Sequence, residues 1–135
     1  MPHLVLDHSA NLADADLGGL CTKLAAVLRE QQAGGKQVYP VGGIRVRALA
    51  AHACCIADGA DPNDAYLHAS LKVGGGRSEA TKAATCAALF EVLKAHFAER
   101  FERHGLALSL EIGEFSESGT LKHNNLHARI RARQG

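Results

Sequence analysis

The sequence predicts an α+β protein: two consecutive βαβ units forming a four-stranded mixed sheet with both helices on one face. Two observations predict it. Hydrophobic spacing switches from a period near two to one near 3.6 and back, which marks strands alternating with helices, and it does so twice in the same order. A right-handed crossover makes the outer strands of each unit parallel, so the two units together build a mixed sheet.

The first strand centres on Leu4 to Leu6. It opens with Pro2, a residue tolerated at the start of a strand because no ladder hydrogen bond is yet required there. The first helix presents Leu17, Leu20, Leu24, Val27 and Leu28 on one side. Asp14 and Asp16 sit where negative charge favours a helix N-terminus, and Gly34–Gly35 is expected to stop the helix. The second strand runs from Ile44 to Ala53.

In the second unit Leu67, Ala69, Leu71 and Val73 alternate with Tyr66, His68, Ser70 and Lys72. A long helix follows, its apolar side Ala83, Cys86, Ala87, Phe90, Leu93 and Phe97, with Phe101 near its end. Finally Leu106, Leu108, Leu110 and Ile112 alternate with Ala107, Ser109 and Glu111 as a fourth strand.

If the helices cover the face bearing Leu67, Leu71, Leu106 and Leu110, the other face carries Val5, Arg45, Arg47, Leu49, Ala51, Ala53, Tyr66 and Ser70. That mixture is too apolar to stay bare and is expected to meet other subunits. In the tail KHNNLHARIRARQG, Leu126, Ala128 and Ile130 alternate with His127, Arg129 and Arg131. The spacing fits a short extra strand docked on a neighbour; a frayed basic tail is the alternative.

Composition bounds the function. A chain of 135 residues, 47% hydrophobic, suits one domain over 1–135 with a real core. Lys and Arg number 15 against 14 Asp and Glu, which argues against the basic field that tracks a nucleic-acid backbone. With no apolar run of about 18 residues and no charged start before an apolar segment, neither a membrane span nor a secretion signal is predicted, and the expected location is the cytoplasm. Cys21, Cys54, Cys55 and Cys86 make no CxxC pair and are expected to be reduced packing thiols, adjacent Cys54 and Cys55 pointing to opposite faces of a strand. His123 and His127 are four apart, but no HExxH or carboxylate partner completes a site, so no metal is predicted. No GxSxG is present, and no cysteine sits in a nucleophile motif.

Three stretches can carry chemistry, each beside an ordinary explanation. The first is Pro2. Aminopeptidases trim methionine when the next side chain is small, which would leave Pro2 with a free secondary amine, a base instead of an amide. An α-amino group has an ordinary pKa of about 7.7–8.0, and burial or a nearby cation lowers it. Two charges about 8 Å apart at an effective dielectric of about 20 interact by roughly 2 kcal/mol, so one arginine suffices to keep the amine neutral.

The second is PVGGIRVRA, where a Gly42–Gly43 bend leads into a strand with Arg45 and Arg47 on one side and Ile44 and Val46 on the other. Two arginines so spaced can hold a dicarboxylate through paired N–H bonds; a solvated strand face is the plain alternative. The third is LKVGGGRSEATK, a glycine turn into a helix capped by Ser78, with Glu79 in its first turn. Its backbone N–H groups suit an anion if Arg77 points inward, although the GxxxxGK phosphate loop is absent.

Taken together, the MPH strand, GGIRVR, GGGRS and LALSLEI followed by KHNNLHA resemble the 5-carboxymethyl-2-hydroxymuconate Δ-isomerase family of the tautomerase superfamily, over nearly the whole chain. The resemblance implies a homotrimer, a cofactor-free isomerase and a role in degrading homoprotocatechuate, an aromatic acid. It implies Pro2 as catalytic acid and base, and Arg45 and Arg77 as the arginines that bind the carboxylates of a small polycarboxylate substrate and steady the dienolate, with Arg47 an adjacent candidate. The loops REQQAGGKQVYP and AAHACCIADGADPND match no pattern of the family. The alternatives are a phenylpyruvate or 4-oxalocrotonate type tautomerase, or a non-enzymatic trimeric binding module.

Overall fold

The computed structural model describes residues 1–134. The elements in order are β1 (His3–Ser9), α1 (Leu17–Glu30), β2 (Gln32–Ala33), β3 (Lys36–Gln37), β4 (Arg45–Ala51), β5 (Ala65–Val73), α2 (Glu79–His96), α3 (Ala98–Arg103), β6 (Leu106–Glu114) and α4 (Leu126–Gln134). The main sheet has the order β4-β1-β5-β6. Strand β1 pairs parallel with β4 and antiparallel with β5, and β5 pairs parallel with β6. This is the mixed sheet of two joined βαβ units that the spacing predicts.

Period-two alternation sorts the strands' side chains between two faces. Leu4 and Leu6 of β1 and Ala65, Leu67, Ala69, Leu71 and Val73 of β5 are buried beneath the helices. Helix α1 adds Leu20, Leu24 and Leu28, four residues apart on one stripe, and α2 adds Thr85, Leu89, Leu93 and the following Phe97. Each such leucine contributes about 1.5–3 kcal/mol by leaving water, which fixes both helices to one face.

The stripe on α2 is turned from the one the spacing predicts: Thr85 and Leu89 point inward, while Ala83 and Ala87 are exposed. The hydroxyl of buried Tyr39, within 3.0 Å of Thr85 Oγ1, lets a polar residue occupy the core position. Phe101 belongs to the separate helix α3 and is exposed.

Both helix starts are capped, the second by Ser78 as the sequence predicts and the first by Asp16, expected there only for its charge. Asp16 Oδ1 accepts from the Gly19 N–H at 3.1 Å, and Ser78 Oγ accepts from the Thr81 N–H at 3.1 Å. Helix α1 ends at Glu30, before the Gly34–Gly35 pair. Those glycines, at φ 60° and 76°, instead turn the small hairpin β2–β3, the left-handed backbone for which glycine is suited.

Three further expectations are corrected. The second strand covers Arg45–Ala51 rather than Ile44–Ala53, so Cys54 and Cys55 lie in the loop beyond it and do not alternate across a strand. All four cysteines are free. The tail forms helix α4, neither an extra strand nor a frayed end. Asn124 Oδ1 accepts from the Leu126 N–H at 2.7 Å, and α4 packs on the turn Val41–Gly43. No helix is long and apolar enough to cross a membrane among the described residues.

Candidate active site

The strand register sets the start of the chain beside Arg45. His3 of β1 is opposite Arg45 of β4, and the Arg45 main-chain N–H donates to the Pro2 carbonyl at 3.0 Å. Pro2 is buried, and Met1 emerges beside it into a cleft of about 340 Å³. The cleft forms where β1 and β4 begin and β5 and β6 end. Met1, His3, Arg45, Gly74 and Phe115 line its base, and Glu117 with Thr120–Asn124 form its wall.

Arg45 is half-buried and held by its own strand entry: Nη1 donates to the Gly42 carbonyl at 2.9 Å and to the Ile44 carbonyl at 3.3 Å. Its remaining N–H groups are left for a ligand. Gly42 also lets the C-terminal helix approach. A Cβ there would lie 2.7 Å from His127 Nδ1 and 2.9 Å from the His127 main-chain nitrogen, closer than carbon tolerates.

Arg77 sits just behind the cleft. Its guanidinium stacks over the Tyr39 ring with Cζ 4.8 Å from the centroid, and its Nη atoms donate to the Gly74 carbonyl at 2.8 Å and the Val38 carbonyl at 3.1 Å. It faces the neighbouring hollow with Gly75, Gly76, Ser78 and Thr81 and does not line the main cleft. Its charge nevertheless reaches the terminal amine. Burial first, then the charges of Arg77, Lys122 and Arg45, hold that amine below its ordinary value.

Arg47 lies outside the cleft on the open sheet face, where its Nη1 is 3.2 Å from His3 Nδ1. Burial, Arg47, Arg45 and the terminal amine together lower the His3 pKa, so the ring favours its neutral form. The structure therefore gathers Pro2 and Arg45, with Arg77 one layer behind, and leaves Arg47 acting through His3. No group of three or more His, Cys, Asp or Glu able to hold a metal ion occurs among the described residues.

Sequence reasoning misses part of the cleft wall. Phe115 packs edge-on against His3 at 5.6 Å, and its N–H donates to the Val73 carbonyl at 2.9 Å. Asn124 Nδ2 donates to the Gly42 carbonyl at 3.3 Å, the acceptor that Arg45 also uses. These contacts bring Lys122 to the cleft. The Asn124–Asn125 pair ahead of Leu126 is the one local signal, since asparagine favours helix starts.

The arrangement can perform proton transfer beside an anion: a terminal amine with a lowered pKa, with the cations Arg45 and Lys122 in the lining and Arg77 behind it. The family description for 5-carboxymethyl-2-hydroxymuconate isomerase matches residues 2–130. A protein of Escherichia coli named 5-carboxymethyl-2-hydroxymuconate Delta-isomerase is 37% identical over 129 residues, 95% of this chain and 98% of that protein. The crystal structure of a 5-carboxymethyl-2-hydroxymuconate isomerase from Deinococcus radiodurans R1 superposes with a TM-score of 0.89 at 47% identity, covering 96% of this chain and 94% of its own. A protein described as W0 fused 4-OT wild type symmetric trimer shares the fold, with a TM-score of 0.66 at 12% identity over 93% of this chain and 98% of its own.

Proposed function

The chain belongs to the 5-carboxymethyl-2-hydroxymuconate isomerase family, and from that membership and the cleft we infer that it converts 5-carboxymethyl-2-hydroxymuconate to its 2-oxo isomer, with Pro2 as acid and base. It is an isomerase of the tautomerase superfamily. The single observation that carries the reaction is the terminal amine in the lining of the cleft, its pKa lowered by burial and by Arg77, Lys122 and Arg45.

Removal of Met1 transfers the amine to Pro2, one residue deeper and beside Arg45. The neutral nitrogen takes the 2-hydroxyl proton of the dienol. The oxygen's electron pair forms the C2 carbonyl, the double bonds shift to C3=C4, and prolinium returns the proton to C5. One O–H bond breaks, one C–H bond forms, and the amine is regenerated. A positioned base of this kind supplies about 10²–10⁴-fold.

Arg45 and Arg77 bind substrate carboxylates, and positive charge aimed at the developing dienolate adds about 10²–10³-fold per donor where water is excluded. The same charges disfavour prolinium and keep the base ready near neutral pH. Arg47 contributes from the open face by holding His3 in its neutral form.

The subunit assembles as a homotrimer through the sheet face that the helices leave uncovered. Leu49 on that face is 55% exposed, and the structurally similar 4-OT protein is described as a symmetric trimer. The family name supports a place in the degradation of homoprotocatechuate. The test is a progress curve on protein whose mass shows Met1 removed: loss of the dienol absorbance at catalytic rates supports the reading, and a rate equal to the uncatalysed one overturns it.

A further inference from the structure

We propose that Lys122 is a specificity-determining residue that binds the third carboxylate of the substrate. The inference deepens the reaction proposed above and rests on it for the identity of the ligand. That substrate carries three carboxylates, and the arginines near Pro2 are already partly committed. Arg45 gives one Nη to the Gly42 and Ile44 carbonyls, and Arg77 gives both Nη atoms to the Gly74 and Val38 carbonyls. Arg45 offers its remaining N–H groups to one carboxylate and Arg77, behind the Gly74 lining, draws a second by charge, which leaves the third without a cation in the cleft.

Lys122 supplies it. The residue lines the same cleft as Met1 and Arg45. Among the described residues its ammonium makes no ion pair, whereas Lys82 and Lys94 are paired with Glu79 and Glu91 at 2.8 and 2.7 Å. Glu117 is the carboxylate in the lining, and Glu114 beyond it is drawn toward Lys82 at 3.4 Å.

The loop that carries Lys122 is fixed at both ends. Phe115 is tied to Val73 and packed on His3, Ser116 Oγ accepts from the Gly119 N–H at 3.2 Å, and Thr120 Oγ1 donates to the Ser116 carbonyl at 2.5 Å. At the other end Asn124 shares the Gly42 carbonyl with Arg45, so the two cations keep their relative positions through one main-chain atom. A compact ammonium on a four-carbon stem can follow a flexible carboxymethyl arm, where a planar fork would demand one orientation.

The experiment compares wild type, Lys122→Met and Lys122→Arg on 5-carboxymethyl-2-hydroxymuconate and on 2-hydroxymuconate, the same dienol without the carboxymethyl arm. Calorimetric titration with a saturated tricarboxylate and the matching dicarboxylate runs alongside. For Lys122→Met the triacid-to-diacid ratio of kcat/KM falls about tenfold or more, the loss appearing in KM for the triacid, as expected for a lost charged hydrogen bond. Lys122→Arg restores the charge and so recovers part of the ratio, short of lysine because the fork demands one orientation, and tricarboxylate binding by Lys122→Met weakens in parallel with its ratio.

An equal loss on both dienols, or none on either, overturns the assignment. Should wild type turn over neither dienol, the proposed reaction falls. The Lys122 site then stands only if the saturated tricarboxylate binds and loses affinity in Lys122→Met.

Discussion

The Arg45 main-chain N–H donates to the Pro2 carbonyl at 3.0 Å, so the first rung of the parallel pairing between β1 and β4 also sets the arginine beside the proline. A base placed by sheet register, as proposed for Pro2, needs no loop to bring its arginine to it. That rigidity is what a proton shuttle over a few ångströms requires.

Replacing the proline tests the base directly. Pro2→Ala keeps a terminal amine after processing, so kcat falls by less than the roughly 10²–10⁴-fold that a lost general base costs, and the pH profile changes. Steady-state kinetics over pH on mass-verified protein check it. A full rate with an unchanged profile removes Pro2 from the chemistry.

Arg77→Ala acts on the amine through charge. The charges that act on the amine are those of Arg77 behind the lining and of Lys122 and Arg45 in it, with His3 and Glu117 also in the lining. In the proposed reaction the neutral amine is the active form, so kcat/KM is expected to rise with pH through the amine's lowered pKa. Removing the Arg77 charge raises that pKa, so the acidic limb moves to higher pH. KM for the polycarboxylate rises as well, and Arg77→Lys recovers the charge but not the stacked, two-carbonyl geometry over Tyr39.

Gly42→Ala probes the wall of the cleft. The new methyl meets His127 at 2.7 Å, which forces α4 away from the turn and loosens Asn124 and the loop behind Lys122. Overpacking of this kind costs about 1–3 kcal/mol, to be measured by denaturant unfolding. KM rises more than kcat falls, and the C-terminal helix becomes the first site of limited proteolysis.

Tyr66 reports the open sheet face. Its hydroxyl donates to Asp7 Oδ1 at 2.8 Å, and that bond, followed by burial and the Asp7 charge, pushes its pKa up to about 12. The folded protein therefore holds a proton that the unfolded chain loses above about 10, and stability contributed by this pair declines as pH rises through about 12. In a Tyr39→Phe background, where Tyr66 is the remaining tyrosine, tyrosinate absorbance titrates at about 12. Asp7→Ala returns it toward 10.

Much of this architecture is legible in the sequence because burial writes itself as alternation. Leu67 to Val73 and Leu106 to Ile112 mark β5 and β6, and Leu20, Leu24 and Leu28 mark α1. The hairpin β2–β3 leaves no such trace, having two exposed residues per strand. Helix α4 misleads for the opposite reason. Leu126, Ala128 and Ile130 alternate by accident on a helix with no buried residue, held instead by Asn124 and by the close approach of His127 to Gly42. The proline and its arginine partner share one strand pair and could be read together. Lys122 reaches them through tertiary contacts that no local spacing encodes.

The central claim is an uncharged amine at Pro2, and the measurement that tests it most directly is a ¹⁵N-proline NMR titration of the protein with Met1 removed. The account predicts that the terminal nitrogen titrates below the ordinary α-amino range of about 7.7–8.0 and coincides with the acidic limb of kcat/KM. An amine that titrates within or above that range, or a limb that does not follow it, contradicts the account.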